Sequence, residues 1–198
     1  MPNETFLNLS DEKKVKLEMI LLEKFYNRHA SQVKVSEIVE AMHMSRGAFY
    51  KYFRDLEDAY TYMTRKYSTI IHVDILKFID ENKNDFFGGI EKYLFWCSNL
   101  DHNSDYWRGI QFLTQETDLV TYRRKDFPAE SFMMKQWMDL LELNKFKMES
   151  YEEAVSFLYF VMSVVMGSLK DYIANDWSKE ELVKDFRFKS HWLTKGIK

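Results

Sequence analysis

Apolar residues recur at intervals of three and four along most of this chain, and polar residues fill the positions between them. This spacing places the apolar side chains on one face of an α-helix, so it predicts amphipathic helices rather than strands. The first helix is predicted to begin after Ser10, because Asp11 and Glu12 come next and their charges suit the positive start of a helix. Its buried stripe is expected to comprise Val15, Met19, Leu22 and Tyr26.

The same spacing predicts three more helices in the first part of the chain. Two short ones are expected over residues 35–42 and 45–53. A long fourth helix is expected over 55–81, and Asp58 in its first turn makes an acidic form of the capping box with the aspartate that opens the helix. The clearest break in the pattern lies at 82–89, which ends in two adjacent glycines.

The remainder of the chain continues the helical pattern. Ser178 and Glu181 form a capping box for the last helix, and Pro128 is expected in a first helical turn, where its missing N–H costs nothing. We therefore predict an all-α protein of about nine helices. The helices predicted after the break cover residues 90–100, 105–116, 128–143, 150–176 and 178–195.

Composition supports this fold class. The 198 residues include only 6 Gly and 2 Pro, too few for the turns that a sandwich, a barrel or a doubly wound sheet requires. A single cysteine, Cys97, excludes an intramolecular disulfide and fits a reducing compartment. The longest uncharged stretch, 154–169, is shorter than the roughly 20 residues of a membrane span. We expect a cytoplasmic protein in which that stretch is a buried helix.

Charge and motifs narrow the possible chemistry. Residues 1–67 carry 11 Lys and Arg against 10 Asp and Glu, and the remaining residues carry 17 against 21, so only the N-terminal part is slightly basic. The sequence lacks a His-Glu-x-x-His motif, a nucleophile elbow and a Walker lysine, so no enzyme class is indicated. His72, or Cys97 with His102, matches no strong zinc spacing, and we expect neither a metal nor a cofactor.

The segment over residues 25–53 has the spacing of a helix-turn-helix. Two short helices flank the connection Met42-His43-Met44-Ser45, and Phe49 lies four residues before Phe53, so both point inward. The outer side of the second helix combines small residues with basic and tyrosine side chains. Such a helix can enter the major groove, where small residues permit close approach, and arginine can reach base edges.

This segment resembles the DNA-binding domain of TetR-family transcriptional regulators. The residues that carry the resemblance are 35–53, Val-Ser-Glu-Ile-Val-Glu-Ala-Met-His-Met-Ser-Arg-Gly-Ala-Phe-Tyr-Lys-Tyr-Phe. The resemblance implies a DNA-binding domain over 1–54 and a helical effector-binding and dimerisation domain over 55–198. It also implies a set of DNA-contacting residues: Lys34, Val35, Ser36, Ser45, Arg46, Gly47, Ala48, Tyr50, Lys51 and Tyr52.

Four positions depart from the family pattern. His43 in the turn and His29 after the first helix stand where glycine is usual, and we expect a left-handed backbone at both. Lys34 replaces the serine or threonine that normally caps the next helix. Leu56 replaces a lysine, which removes one expected phosphate contact.

The resemblance also implies a small-molecule effector. Aromatic and methionine side chains after residue 86 are numerous enough to build an apolar cavity as well as a core. A small apolar or aromatic effector is therefore expected, and no metal is needed to hold it. The residues predicted to line its pocket are His72, Trp96, Asn99, Trp107, Gln111, Phe112, Gln115, Met134, Trp137 and Phe160.

The last two predicted helices are expected to form a homodimer interface. The stretch 154–169 is apolar all round, so one face should contact its own domain and another face a second chain. As the resemblance implies, two such helices from each chain would then pack as a four-helix interface. The residues predicted there are Ser163, Gly167, Leu182, Phe186 and Leu193.

Together these features predict a homodimeric repressor that binds a pseudo-palindromic operator in double-stranded DNA and is released by the effector. An alternative keeps the fold but gives the C-terminal domain a protein partner, which would make the chain a co-activator or adaptor. A helical enzyme with an accessory DNA-binding domain is a third possibility, and it has no motif behind it.

Overall fold

A computed structural model of the chain describes residues 2–115, 124 and 128–196. The described residues form ten α-helices and one short 3₁₀ helix, with no strand among them, which confirms the all-α prediction. The α-helices are α1 (Glu4–Leu7), α2 (Asp11–Phe25), α3 (Val35–Ala41), α4 (Arg46–Tyr52), α5 (Leu56–Glu81), α6 (Phe86–Cys97), α7 (Asp105–Thr114), α8 (Phe132–Leu143), α9 (Tyr151–Ala174) and α10 (Lys179–Lys195). The 3₁₀ helix is Ala30–Gln32.

The chain divides into two compact units. The first comprises Met1–Thr69 and Asp101–Arg123, and the second comprises Ile70–Leu100 and Arg124–Lys198. The first unit therefore includes α7 and the first half of α5, whereas the predicted division by function falls after residue 54. That functional division stays a prediction.

The core of the first unit is built around α2. Leu17, Leu21 and Phe25 are fully buried there, at helical spacing. The predicted stripe is wrong for Val15 and Met19, which are both about half exposed, at 52%. The apolar residues of α2 form two adjacent stripes, and the pattern alone does not indicate which of them the neighbouring helices cover.

Helix α7 packs on α2 within the first unit. The ring of Phe112 stacks on Phe25 at 6.2 Å and meets Tyr60 edge-on at 4.9 Å. A Cβ atom at Gly109 would lie 2.2 Å from the Tyr67 ring, so only glycine allows α7 to approach α5 this closely here. These contacts fix α7 as part of the core beneath the N-terminal helices.

The second unit packs α6, α9 and α10 against one another. Trp137 of α8 is fully buried, and its indole N–H donates to the carbonyl of Ala154 at 2.9 Å. Its ring lies against Phe86 and Phe157, at 5.8 Å from each. A buried tryptophan whose one donor is satisfied is a core residue that contributes several kcal/mol to stability.

The connection between α5 and α6 is shorter than the predicted break. Helix α6 begins at Phe86 after an Asp85 cap, so the two glycines lie in its first turn rather than in a loop. A Cβ atom at Gly89 would lie 2.6 Å from the Cα of Ile79, which shows how closely the two helices approach. The chain turns instead at Asn84, whose φ is 65°.

Helix ends agree with most of the capping predictions. Ser178 and Glu181 form the predicted capping box at the start of α10. The prediction for Pro128 is wrong, because α8 begins at Phe132 and the hydroxyl of Ser131 accepts from the Met134 N–H. Serine satisfies a free N–H at the helix start, whereas proline only avoids having one, so the later start gains a hydrogen bond.

Helix α9 contains the long uncharged stretch of the sequence. By length and composition alone it could cross a membrane, and 39% of its most apolar window is buried within the protein. The buried residues, among them Leu158, Val165 and Leu169, follow one face of the helix. The opposite face includes Phe160, which is 41% exposed.

Candidate nucleic-acid interface

Helices α3 and α4 pack together as a helix-turn-helix. The turn begins where α3 ends, and the N–H groups of His43 and Met44 donate to the carbonyls of Glu40 and Val39 at 3.0 and 2.9 Å. His43 has a φ of 52°, so the left-handed conformation predicted for this position is confirmed. Histidine enters that region more readily than most residues other than glycine, at some cost in strain.

Helix α4, which has seven residues, is anchored by aromatic side chains on its inner face. Phe49 is fully buried, as is Phe53, which comes directly after the last turn of the helix, and their rings lie 5.7 Å apart. At the start of the helix the hydroxyl of Ser45 accepts from the Ala48 N–H at 3.2 Å. The cap and the two aromatic anchors fix which face of α4 points outward.

The outward face of α4 carries the residues predicted to contact DNA. Arg46, Gly47, Tyr50 and Lys51 are exposed, and Ala48 and Tyr52 are half-buried. Tyr50 lies edge-on against Phe49 at 5.5 Å, which supports its ring while leaving it 48% exposed. A guanidinium, an ammonium and tyrosine hydroxyls on one short helix with a glycine suit contact with phosphates and base edges.

The start of α3 is capped differently from the family pattern. Lys34 has no capping side chain, and the carboxylate of Glu37 accepts from its backbone N–H at 3.0 Å. Glu37 also accepts from the guanidinium of Arg28 at 2.9 Å. The hydrogen bond from Arg28, followed by that from Lys34, lowers the pKa of Glu37. This half of a capping box keeps α3 in place, with Lys34 and Ser36 exposed and Val35 half-buried.

The prediction for His29 is wrong. Its backbone is extended, with a φ of −61°, and its Nδ1 accepts from the Ser31 N–H at 3.3 Å. The residue therefore caps the 3₁₀ helix instead of ending α2 in a left-handed turn. Extended backbone is what a capping residue adopts, and histidine takes it without strain.

Two aspartates cap the start of α5, as predicted, but Asp58 accepts from the N–H of Arg54 rather than from that of Asp55. Asp55 accepts from the Asp58 N–H at 2.8 Å, and Asp58 accepts from the Arg54 N–H at 3.2 Å. Arg54 also pairs with the Asp55 carboxylate at 2.8 Å, and this pairing lowers the pKa of Asp55. The chain thus leaves α4 and enters α5 within three residues.

One part of the site was not predicted. Asn3 occupies the N-cap position of α1 without a side-chain capping hydrogen bond, and Phe6 of this short helix is fully buried against α4. Four residues are too few to show a helical period, so the hydrophobic pattern could not indicate α1. The usable signal was local, because an asparagine before Glu4 is a favourable helix start.

The ten predicted pocket residues fall in both compact units. In the first unit Trp107 and Phe112 are buried, whereas Gln111 and Gln115 are half-buried, and Gln115 donates to the Tyr26 carbonyl. In the second unit Met134 and Trp137 are fully buried, His72 and Trp96 are half-buried, and Asn99 and Phe160 are exposed. The four most buried of these side chains are core residues, and the pocket itself stays a prediction.

Two open grooves lie on the described surface. One, of about 490 Å³, is formed by α2 and α7 and includes Val15, Met19 and Arg108. The other, of about 310 Å³, is formed by α9 and α10 and includes Ser163 and Gly167. Of the predicted pocket residues, only Phe160 lines either groove.

The groove between α9 and α10 contains three of the five residues predicted for the dimer interface. Ser163, Gly167 and Leu193 line it, and apart from the adjacent residues and backbone of α9 no atom would lie within 4 Å of a Cβ atom at Gly167. Leu182 and Phe186 are buried inside the unit, so their assignment to an outward face is corrected. The outward apolar residues of α10 are Phe188, Trp192 and Leu193.

The candidate metal and thiol residues of the sequence lie in the part of the chain that the structure describes. None of its His, Cys, Asp and Glu side chains form a group of three or more that could hold a metal ion. His102 stacks on Trp107 at 4.3 Å. Cys97 is fully buried at the end of α6, and burial raises the pKa of its thiol to about 12, so a reactive thiolate is disfavoured.

Comparison with known proteins identifies the family. A family model described as "Tetracyclin repressor-like, C-terminal domain" matches residues 85–197, more than half of the chain. The crystal structure of a TetR family transcriptional regulator from Chloroflexus aurantiacus J-10-fl is similar over 97% of this chain and 90% of that one, with 21% identity and a TM-score of 0.49. No curated protein matches the chain. The chain therefore belongs to the TetR family of DNA-binding transcriptional regulators.

Proposed function

We propose that this protein is a homodimeric repressor that binds a pseudo-palindromic operator with α4 in the major groove. The observation that supports this most is the face of α4, where Arg46, Gly47, Tyr50 and Lys51 point outward from a helix that Phe49 and Phe53 anchor. A rigid helix with an exposed basic and aromatic face can be inserted into DNA without first being ordered.

Each part of this face has its own role in the proposal. Arg46, at the start of α4, contacts base edges, and Gly47 and Ala48 let the helix approach the groove closely. Tyr50, Lys51 and Tyr52 bind phosphates. At the start of α3, Lys34, Val35 and Ser36 contact the phosphate backbone beside the groove.

We propose the groove between α9 and α10 as the dimer contact. Phe160, Trp192 and Leu193 are each more than 40% exposed there, and Gly167 leaves room for close helix packing. Burying such side chains against the same surface of a second chain removes apolar area from water on both. In the complex, the two recognition helices then lie about 34–36 Å apart, one turn of DNA.

Release from DNA is proposed to follow the binding of a small apolar or aromatic effector. The effector acts by binding one conformation of the dimer more tightly than the other, which shifts the population away from the DNA-binding state. Helix α5, which is separated from α4 by three residues, is the element that transmits the change. The abundance of aromatic and methionine side chains supports an effector of this class.

A second candidate is the adaptor or co-activator with a protein partner. It is favoured by the burial of Trp107, Phe112, Met134 and Trp137, which fill the core rather than surround a ligand. The two candidates differ in the response to small molecules. A compound that raises the melting temperature of the protein and also releases it from DNA would support the repressor. If no compound in a collection of apolar and aromatic molecules has these two effects, the adaptor is supported.

The proposed function is tested by selecting duplexes from a random-sequence library with the wild-type protein. We expect enrichment of a sequence with two related half-sites, bound by two chains in a mobility-shift titration at fixed salt. Failure to enrich any sequence, or recovery of one half-site bound by one chain, would contradict the proposal.

A further inference from the structure

The short helix α1 meets the C-terminal end of the recognition helix α4. A helix of seven residues leaves its last carbonyls without partners inside the helix. The backbone N–H of Asn3 donates to the Tyr52 carbonyl at 2.8 Å, and the side-chain amide of Asn3 donates to the Lys51 carbonyl at 3.3 Å. A residue almost fifty positions earlier in the chain therefore closes the end of α4.

Phe6 anchors this contact. It is fully buried, and its ring lies 6.3 Å from Tyr52, 4.9 Å from Phe53 and 5.0 Å from Tyr62. The ammonium of Lys14 lies 5.4 Å from the centre of the same ring. Because four residues do not form a stable helix in isolation, α1 depends on this docking.

The ring of Tyr62 is itself held in place. Its hydroxyl donates to Glu18, a buried carboxylate on α2, and Lys66, one turn further along α5, pairs with the same carboxylate. Phe6 therefore packs against a side chain that two helices fix. Removing Lys66 would leave the buried Glu18 carboxylate without its counter-charge, and removing the Tyr62 hydroxyl would take away its hydrogen-bond donor, so this arrangement resists displacement.

We propose that the segment 3–6 is a clasp that positions the recognition helix for specific DNA sequences. The proposal rests on the proposed function of α4. The clasp holds the carbonyls of Lys51 and Tyr52, whose side chains are proposed to bind phosphates, and it fixes the end of α4 against α5. Phosphate contacts set the register in which base edges are recognised, so loosening this end costs specific binding more than non-specific binding.

The test compares two substitutions in the same short helix. Phe6→Ala removes the anchor, and Leu7→Ala is the matched control because Leu7 is 53% exposed. Dissociation constants are measured for the duplex selected by the wild-type protein and for an unrelated duplex at the same salt concentration. We expect Phe6→Ala to weaken specific binding about tenfold or more and non-specific binding by less than about twofold, with no change for Leu7→Ala.

A second measurement does not depend on the selected duplex. In Phe6→Ala we expect faster hydrogen exchange of the amides of α4, with the amides of α2 unchanged. If this variant does not fold, Phe6→Leu retains apolar volume without the ring contacts and should show the same effects at about threefold. An equal loss of specific and non-specific binding, or unchanged exchange in α4, would overturn the proposal. Failure of the wild-type protein to select a duplex contradicts the proposed function, whereas the exchange result still tests the clasp.

Discussion

The helix-turn-helix and the second compact unit are both built from helices with the same apolar spacing, but they differ in what determines the role of a side chain. In α3 and α4 each predicted role depends on a position within a short motif, and the outward face of α4 carries the side chains expected there. In the second unit, aromatic and methionine residues predicted to line a pocket are partly core, as Met134 and Trp137 are. A motif with defined spacing therefore predicts where an individual side chain lies. An abundance of aromatic residues predicts only that a large apolar volume is present.

The largest expected effect tests the second half of this comparison. Trp137→Ala should lower the free energy of unfolding by about 3–5 kcal/mol, because it empties a filled site and leaves the Ala154 carbonyl without its donor. Urea unfolding measures this loss, and Met138→Ala, at a neighbouring position that is 38% exposed, serves as the control. A Trp137→Ala variant of unchanged stability that no longer responds to an effector would instead make Trp137 a ligand contact.

The next effect tests the recognition helix. Arg46→Ala should weaken binding to the selected duplex by about 1–3 kcal/mol and relax the preference at one base pair, since a base contact is lost. Competition with duplexes that vary each base pair in turn measures both changes. Lys83→Ala removes an exposed cation from the second unit and should change neither. A uniform loss of affinity for all sequences would show that Arg46 contacts a phosphate and not a base.

A smaller effect is expected for the tyrosine on the same face. Tyr50→Ala should weaken operator binding by about 1 kcal/mol or more and leave the dimer intact, because only a phosphate contact is removed. Mobility-shift titration at fixed salt and the sedimentation of the free protein measure the two quantities. Phe95→Ala, an aromatic residue of similar exposure in the second unit, is the control. Unchanged affinity for Tyr50→Ala would count against this role.

The smallest effects separate the two histidines that replace family glycines. His43→Gly should raise stability by up to about 1 kcal/mol, because the relief of strain in the left-handed backbone exceeds the cost of the freedom that glycine adds to the unfolded chain. His29→Gly should lower stability by about 0.5–1 kcal/mol, because it removes a cap from extended backbone and adds freedom to the unfolded chain. Thermal unfolding of both variants measures the difference in sign. If both variants change stability in the same direction, backbone conformation does not determine the effect of glycine at these positions.

These two histidines show which part of the backbone conformation could be predicted from the sequence. Both were expected to be left-handed because both replace a family glycine, and only His43 is. The difference arises because His29 is succeeded by a 3₁₀ helix, which needs a cap at its start. Conformation at a turn thus depends on the next element of the chain, which a position-by-position comparison with a family pattern does not include.

The hydrophobic pattern also could not predict which of the apolar residues are buried. Helix α2 has two apolar stripes, and the covered one is set by α7, whose sequence lies far away in the chain. The same holds for α10, where Leu182 and Phe186 turn inward and Phe188 and Trp192 remain outside. Helix bounds such as those of α5 and α10 depend on local caps and were predicted closely, whereas the covered face depends on distant neighbours.

The burial of Cys97 has a practical consequence for measuring the proposed dimer. Because the chain contains one cysteine and its thiol is inaccessible, maleimide reagents should leave the native protein unmodified. A cysteine introduced at the exposed position Glu40 on α3 should then accept a single spin label in each chain. Pulsed electron paramagnetic resonance would then measure the distance between the two labels, and hence between the DNA-binding helices, with and without candidate compounds. The native cysteine would not have to be replaced first.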